Sequence, residues 1–378
     1  MLATLASDRV LDAAYAWLCA QRRHWPANAD VWGLRFRWLA EKAAIRQTLL
    51  AGHYRFAPLT RITKSDGQCV YVWSARDALV LKALAIVLGG VLPVSRRCVH
   101  VKGHGGAKAA LRAVTGALPD HAFVLRTDVK AYYDSIDQYR LLDLLAAHIK
   151  DRDVLNLLWQ AMRRTVTWGG LFRDCRRGIA RGCPLSPLLG ALFLSALDAE
   201  MQRLGLFYVR FMDDVVVLAP TRWTLRRAVK RLNAVLAGLG LEKHPEKTFI
   251  GRVEKGFDFL GYHFTPQRLS IAEDTRRRFR EQLARLYEQG CTDREPVHLG
   301  KYIRRWVVWA RSGLAHNPDL TDVIPVPGVC NAGSLLKAAA SAGSRHGWRA
   351  VTSVEQPIRT DAPCPPEQAR TARFNCAG

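Results

Sequence analysis

The sequence predicts an α+β fold, and three observations carry that prediction. Short apolar runs at 123–127, 207–211 and 215–219 have strand length, bounded by turn residues. Separate stretches have one apolar face, as at Thr224–Leu239, where Leu225, Val229, Leu232, Leu236 and Leu239 recur at helical spacing. The chain has 378 residues, 49% of them hydrophobic, enough for a sizeable core and two or three structural units.

In order, residues 1–50 read as two helices broken near Trp25-Pro26, the second spanning about Trp32–Leu50. A strand pair follows, His53–Arg61 and Gln68–Trp73, around a turn at Ser65-Asp66-Gly67. Ser74–Leu88 reads as a buried helix and Ser95–Lys108 as a loop rich in glycine and basic residues. Phe123–Thr127 is a strand that ends on Asp128. Helices are expected at Gln138–Ile149 and Val154–Arg164, then a loop holding Gly169, Gly170, Gly178, Gly182 and Pro184. Ser186–Leu204 reads as one long helix, with Ser186 as cap and Pro187 in the first position. Phe207–Phe211 and Val215–Ala219 form a hairpin around Met212-Asp213-Asp214. Lys247–Arg252 and Gly256–Phe264 read as strands, Arg276–Gln289 and Leu299–Arg311 as basic helices. From about Ile324, prolines and small residues predict a largely disordered, low-complexity extension.

The net charge of +23 points to a polyanionic partner. Residues 321–378 contribute six basic and four acidic side chains, so nearly all of the excess lies before them. The nine cysteines show no CxxC spacing, which argues against a disulfide framework or zinc ribbon and for reduced thiols in a cytoplasmic protein. No signal peptide and no apolar run of membrane-spanning length is visible.

An Asp at a strand end and an Asp-Asp pair in a hairpin are each ordinary turn chemistry when met alone. Together, in this order, with a glycine loop and helix between them, they suit phosphoryl transfer. That chemistry uses two divalent cations about 3.5–4 Å apart, held by carboxylates on rigid strands. Asp128, Asp213 and Asp214 converge if their strands are neighbours in one sheet.

The segment Val124-Leu125-Arg126-Thr127-Asp128-Val129-Lys130-Ala131-Tyr132-Tyr133 resembles the first catalytic motif of reverse transcriptases. Arg181-Gly182-Cys183-Pro184-Leu185-Ser186-Pro187 resembles their glycine-then-Ser-Pro motif, and Phe211-Met212-Asp213-Asp214 their aromatic-x-Asp-Asp box. Leu241–Thr248 and Gly256–Tyr262 are similar to the two motifs that follow, so the resemblance spans roughly residues 50–315. Its flavour is that of bacterial group II intron enzymes.

The resemblance implies a right-hand polymerase: an N-terminal helical extension (1–50), fingers (51–120), an antiparallel-sheet palm with helices on one side (121–265), a helical thumb (266–315) and the low-complexity tail (316–378). It implies RNA-directed DNA polymerase activity with two Mg2+ ions, or Mn2+, an RNA template, a DNA or RNA primer and deoxynucleotides. Asp128, Asp213 and Asp214 would be catalytic, with Val129 lending its carbonyl to the metal. Tyr133 would lie under the incoming sugar and disfavour a 2′-hydroxyl. Gly182 would let backbone approach the nucleotide, Lys102 would grip the triphosphate or else the nucleic-acid backbone, and Lys247 would support nucleotide or template, or only the local fold. Arg181 stands where the family usually has Gln, and Phe211 where it usually has Tyr. The basic helices, with Trp306 and Trp309, would grip template phosphates. The implied setting is a mobile element or a phage-defence system. A maturase-like RNA-binding protein in which catalysis is dispensable is the alternative.

Overall fold

A computed structural model describes residues 1–63, 69–290 and 297–313. The expected turn at 65–67 and the expected tail lie outside these residues. Four helices open the chain, α1 (Leu2–Leu5), α2 (Asp8–Gln21), α3 (Asp30–Phe36) and α4 (Trp38–Leu50), where the sequence predicts two. The expected break near Pro26 is present. The extra breaks fall at Ser7, which takes extended backbone to start α2, and at Arg37. Arg22 binds Asp30 at 3.2 Å and the Trp73 carbonyl at 2.8 Å, tying this bundle to the next segment.

Strands β1 (Leu59–Thr63) and β2 (Cys69–Val72) pair antiparallel. β1 starts six residues later than expected because residues 53–58 are held elsewhere. The Tyr54 hydroxyl and the Ala57 N–H both donate to buried Asp77 on α5 (Ala75–Leu88), and Pro58 has no N–H to give a sheet. After α5 comes a helix that the sequence reading did not find, α6 (Gly106–Ala117), buried through Ala110, Leu111 and Val114.

β3 (Phe123–Thr127) leads into a single turn, α7 (Tyr132–Ser135), then α8 (Gln138–His148) and α9 (Arg152–Met162), capped by the Asp137 and Asp151 side chains. The expected glycine loop contains a hairpin, β4 (Thr165–Trp168) and β5 (Leu171–Asp174), which turns on Gly169 and Gly170 at positive φ. The expected long helix is two, α10 (Ser186–Phe193) and α11 (Ser195–Arg203). Ser186 is inside α10 rather than its cap, and its hydroxyl donates to the Ala180 carbonyl at 2.6 Å. β6 (Phe207–Phe211), β7 (Asp214–Ala219), α12 (Arg222–Gly238) and β8 (Phe249–Arg252) follow. Then come β9 (Phe257–Phe259), β10 (Tyr262–Phe264), β11 (Leu269–Ile271), α13 (Glu273–Gly290) and α14 (Val297–Ser312).

The central sheet is antiparallel, in the order β6-β7-β3-β8. Helices were expected on one face only, but both faces are covered. Leu125, Val215 and Val217 join the large helical core, whereas Val124, Val216 and Leu218 pack with α6 and the β9–β11 sheet. Every residue of β7 is buried, as the apolar run Val215–Ala219 requires, and Asp214 is buried with it. A second sheet, β2-β1-β4-β5, joins β1 to β4 in parallel. It therefore draws strands from both sides of the expected boundary at 120/121.

Candidate active site

The register of the central sheet builds the site. Thr127 pairs with Val215 across β3 and β7, which sets Asp128 level with Asp214. Facing residues of an antiparallel pair lie roughly 4.5–5.5 Å apart between Cα atoms. Phe211 pairs with Asp214, so Met212 and Asp213 form the two-residue turn of the hairpin. Asp128 and Asp214 are buried, and Asp213 is partly so. Burial, then the Asp128 and Asp214 charges, raise the Asp213 carboxyl well above the usual carboxylate range. The three side chains expected to act together are thus close enough to resist ionising together.

A neighbouring segment completes the corner. Val129 bridges Lys243, held by Lys130 N–H on the Glu242 carbonyl at 2.9 Å and His244 N–H on the Asp128 carbonyl at 2.8 Å. These bonds use the backbone of Asp128 and Lys130, not the Val129 carbonyl. The same segment delivers Lys247, whose Nζ lies 3.5 Å from Asp128 Oδ2.

Tyr133 lies beside this cluster. Burial, then the Asp213 charge, raise its phenol above its ordinary range. Its carbonyl accepts from Ile179 N–H at 2.8 Å, fixing the loop that leads to Gly182. Gly182 has φ +76° and open space around the position of a Cβ, so the left-handed backbone is what requires glycine there. Arg181 pairs with Asp134 at 2.5 Å on the exposed rim. Lys102 is exposed, and among the described residues no hydrogen bond or ion pair joins it to the carboxylates.

Several residues that shape the site were missed in the sequence reading. Fully buried Arg210 binds Asp198 through Nε at 2.9 Å and Nη2 at 2.6 Å, and Tyr208 donates to the same carboxylate at 2.7 Å. A cation in the middle of the apolar run Phe207–Phe211 was the available signal. His100 touches the Met212 N–H, Gln138 donates to the carbonyls of Met162, Cys175 and Gly178, and Gly190 seats both tyrosines. None has a local signature.

The basic helices carry ion pairs and ring contacts of their own. On α13, Arg276, Arg277 and Arg280 pair with Glu273, Asp274 and Glu281 along the same helix. Trp306 stacks on Phe279 at 4.0 Å and Trp309 packs on Tyr262 at 5.0 Å. These two indoles join helices and sheet to one another.

Residues 100–264, which hold the whole carboxylate corner, match the reverse transcriptase (RNA-dependent DNA polymerase) family. This segment of the chain is a reverse transcriptase domain. Protein YkfC of Escherichia coli is 24% identical over 69% of this chain and 81% of its own. The group II intron-encoded protein LtrA of Lactococcus lactis is 25% identical over 53% of this chain and 34% of its own. A Pol polyprotein from the type-1 retrotransposable element R2 of Nasonia vitripennis is 30% identical over 33% of this chain and 14% of its own. The chain spans about a third or less of the intron and retrotransposon relatives. Among its described residues no helix is long and apolar enough to cross a membrane.

The donor set suits a hard cation. Carboxylate oxygens are what magnesium prefers, and a cation would relieve the crowding that raises Asp213. Among the described residues no three His, Cys, Asp or Glu side chains form a ready cage for an ion. Magnesium does not need one, because one or two carboxylates usually hold it together with waters and substrate phosphates.

Proposed function

We propose that this chain is a reverse transcriptase that adds deoxynucleotides to a primer 3′-hydroxyl on an RNA template, with Asp128, Asp213 and Asp214 as the metal-binding carboxylates. The observation that carries the proposal is the strand register that sets Asp128 level with Asp214, one residue from Asp213. Two magnesium ions, or manganese in their place, would supply activation of the hydroxyl and neutralise charge on the leaving pyrophosphate. The chain's own groups do the rest. Asp213 carries a proton more readily than a free carboxylate, and a bound divalent cation would favour its ionised form. The Val129 carbonyl, free of the bridge to Lys243, adds a further oxygen. Lys247 balances Asp128 in the metal-free protein and lies within reach of a phosphate. Tyr133, beside Asp213, presents a ring to the sugar and excludes a 2′-hydroxyl. Gly182 lets the backbone come close, with Arg181 on its rim, and exposed Lys102, on the loop that also bears His100, would bind the triphosphate. The positive charge of the chain holds template and primer through their phosphates. We place the chain in a mobile element, the setting that the names of its intron and retrotransposon relatives support.

The test is extension of oligo-dT on poly-rA with dTTP and magnesium, comparing wild type with Asp213→Asn. Extension by the wild type that disappears in the variant supports the proposal. Equal extension by both removes Asp213 from the chemistry.

A further inference from the structure

We propose that His100 is a positioning residue for the metal-binding turn: its imidazole holds the Met212 main chain, and so aims the neighbouring Asp213 carboxylate. The inference rests on the reading of Asp213 as a metal ligand.

Met212 has φ +57°, a left-handed backbone that a branched or long side chain rarely adopts. It occupies the first position of a two-residue hairpin turn, where glycine or asparagine is the usual choice. Such strain persists only where the surroundings over-determine it, and it gathers at functional sites. Here both polar groups of the Met212 main chain are answered by side chains. Its N–H donates to His100 Nδ1 at 2.9 Å. Its carbonyl accepts from Arg210 Nη1 at 2.9 Å.

Neither holder can drift. Arg210 is fixed by Asp198 and by the Ala191 carbonyl at 3.1 Å. His100 is fixed at its far side, where Nε2 lies 3.0 Å from the Pro187 carbonyl, at the start of α10. The direction of the Met212 bond decides the tautomer. Nδ1 must accept, so Nε2 carries the hydrogen and donates to Pro187. The His100 ring also packs edge-to-face with Phe211, with centroids 5.8 Å apart. The loop that bears His100 is itself stitched to β6. Arg210 N–H donates to the Arg97 carbonyl, and Val99 N–H donates to the Arg210 carbonyl, both at 2.9 Å. One imidazole thus joins three parts of the site: the loop at 97–104, the start of the helix that follows the Gly182 motif, and the turn that carries Asp213.

Two substitutions separate the ends of the imidazole. In His100→Asn the side-chain oxygen falls near the place of Nδ1 and can accept from Met212, but the side chain is too short for Pro187. In His100→Gln the amide nitrogen reaches toward Pro187, and a methylene faces Met212. These variants, His100→Ala and Asp213→Asn are compared with wild type in Mn2+ titrations followed by electron paramagnetic resonance, without nucleic acid. Amide exchange of the peptide containing Met212, and kcat and KM in primer extension, are measured alongside.

The expected result is that His100→Gln and His100→Ala weaken Mn2+ binding by about 10–100-fold, the usual effect of losing a group that orients a metal ligand. Their Met212 peptide exchanges faster, and kcat falls while KM for primer and template holds. His100→Asn recovers most of the Mn2+ affinity and the exchange protection. If Asn and Gln variants bind Mn2+ alike while Asp213→Asn does not bind it, His100 has no positioning role and the reading of Asp213 stands. If Asp213→Asn binds Mn2+ as the wild type does, the reading of Asp213 falls and the proposal falls with it.

Discussion

The Lys247 ammonium stands 3.5 Å from Oδ2 of Asp128, with the carboxylate buried and the lysine about a quarter exposed. Such a pair gives the metal-free protein a cation at the place where the proposed chemistry needs a divalent one. Lys247→Met is therefore expected to destabilise the metal-free protein by about 1–3 kcal/mol, because it weakens the compensation of a buried charge. Magnesium should restore part of that loss. Thermal melts with and without magnesium check this, and a deficit that magnesium leaves untouched would remove the metal from the account.

Arg210 and Asp198 are both buried, and each is the other's main charged partner. Arg210→Met leaves the Asp198 carboxylate in the core without its guanidinium, a change expected to cost about 3–5 kcal/mol. Replacing both, as Arg210→Met with Asp198→Leu, should cost less than the two single changes added together. Urea midpoints of the four proteins give the coupling.

A side chain at Gly190 would crowd two tyrosine rings. A Cβ there would lie 3.1 Å from Tyr133 Cε1 and 3.2 Å from Tyr132 Cε1, and Tyr132 already bonds the Gly190 carbonyl at 2.5 Å. Gly190→Ala should cost about 1–3 kcal/mol through overpacking. It should also shift the Tyr133 ring and change the preference for dTTP over UTP on poly-rA. A stability loss with unchanged preference would show that Tyr133 does not read the sugar.

Burial, followed by repulsion from Arg210 and His104, brings the His100 imidazole down to about 4 from an ordinary 6.5, partly offset by the bond to Pro187. Between those values the unfolded chain binds a proton that the folded chain refuses, so stability rises with pH. This contribution is complete above about pH 6.5 and is lost as pH falls toward 4. Asp213 titrates in the opposite sense, because its raised carboxyl takes up a proton on folding. The difference in melting temperature between wild type and His100→Asn isolates the histidine. It should shrink or reverse on acidification from pH 7 to pH 4.5.

The central sheet was legible because its strands announce themselves. Phe123–Thr127 and the two halves of the hairpin are apolar runs that end on aspartates, and the register that brings those aspartates together follows from their pairing. α6 was hidden by Gly105, Gly106 and Gly116, although Ala110, Leu111 and Val114 already marked a buried helical face. β4 and β5 were hidden by the glycines that make their turn and by the exposure of β5 along its length, which removes the alternation by which strands are read. The brace around Met212 was not legible at all. His100 lies 112 positions from its partner, and only the folded chain shows that Arg210 faces inward.

The parallel pairing of β1 with β4 has a consequence for how the molecule is made. Leu59 meets Val166, so the sheet closes only after more than a hundred further residues have been synthesised. At roughly 5–20 residues per second that interval is on the order of 5–20 seconds. Until then the β1 edge of the β1–β2 pair stands without its neighbour. Pro58 and Arg61, at and beside that edge, are the residue types that discourage pairing with a stranger. Nascent chains arrested shortly before residue 165 should be the most prone to cling to one another, and those released after residue 174 much less so.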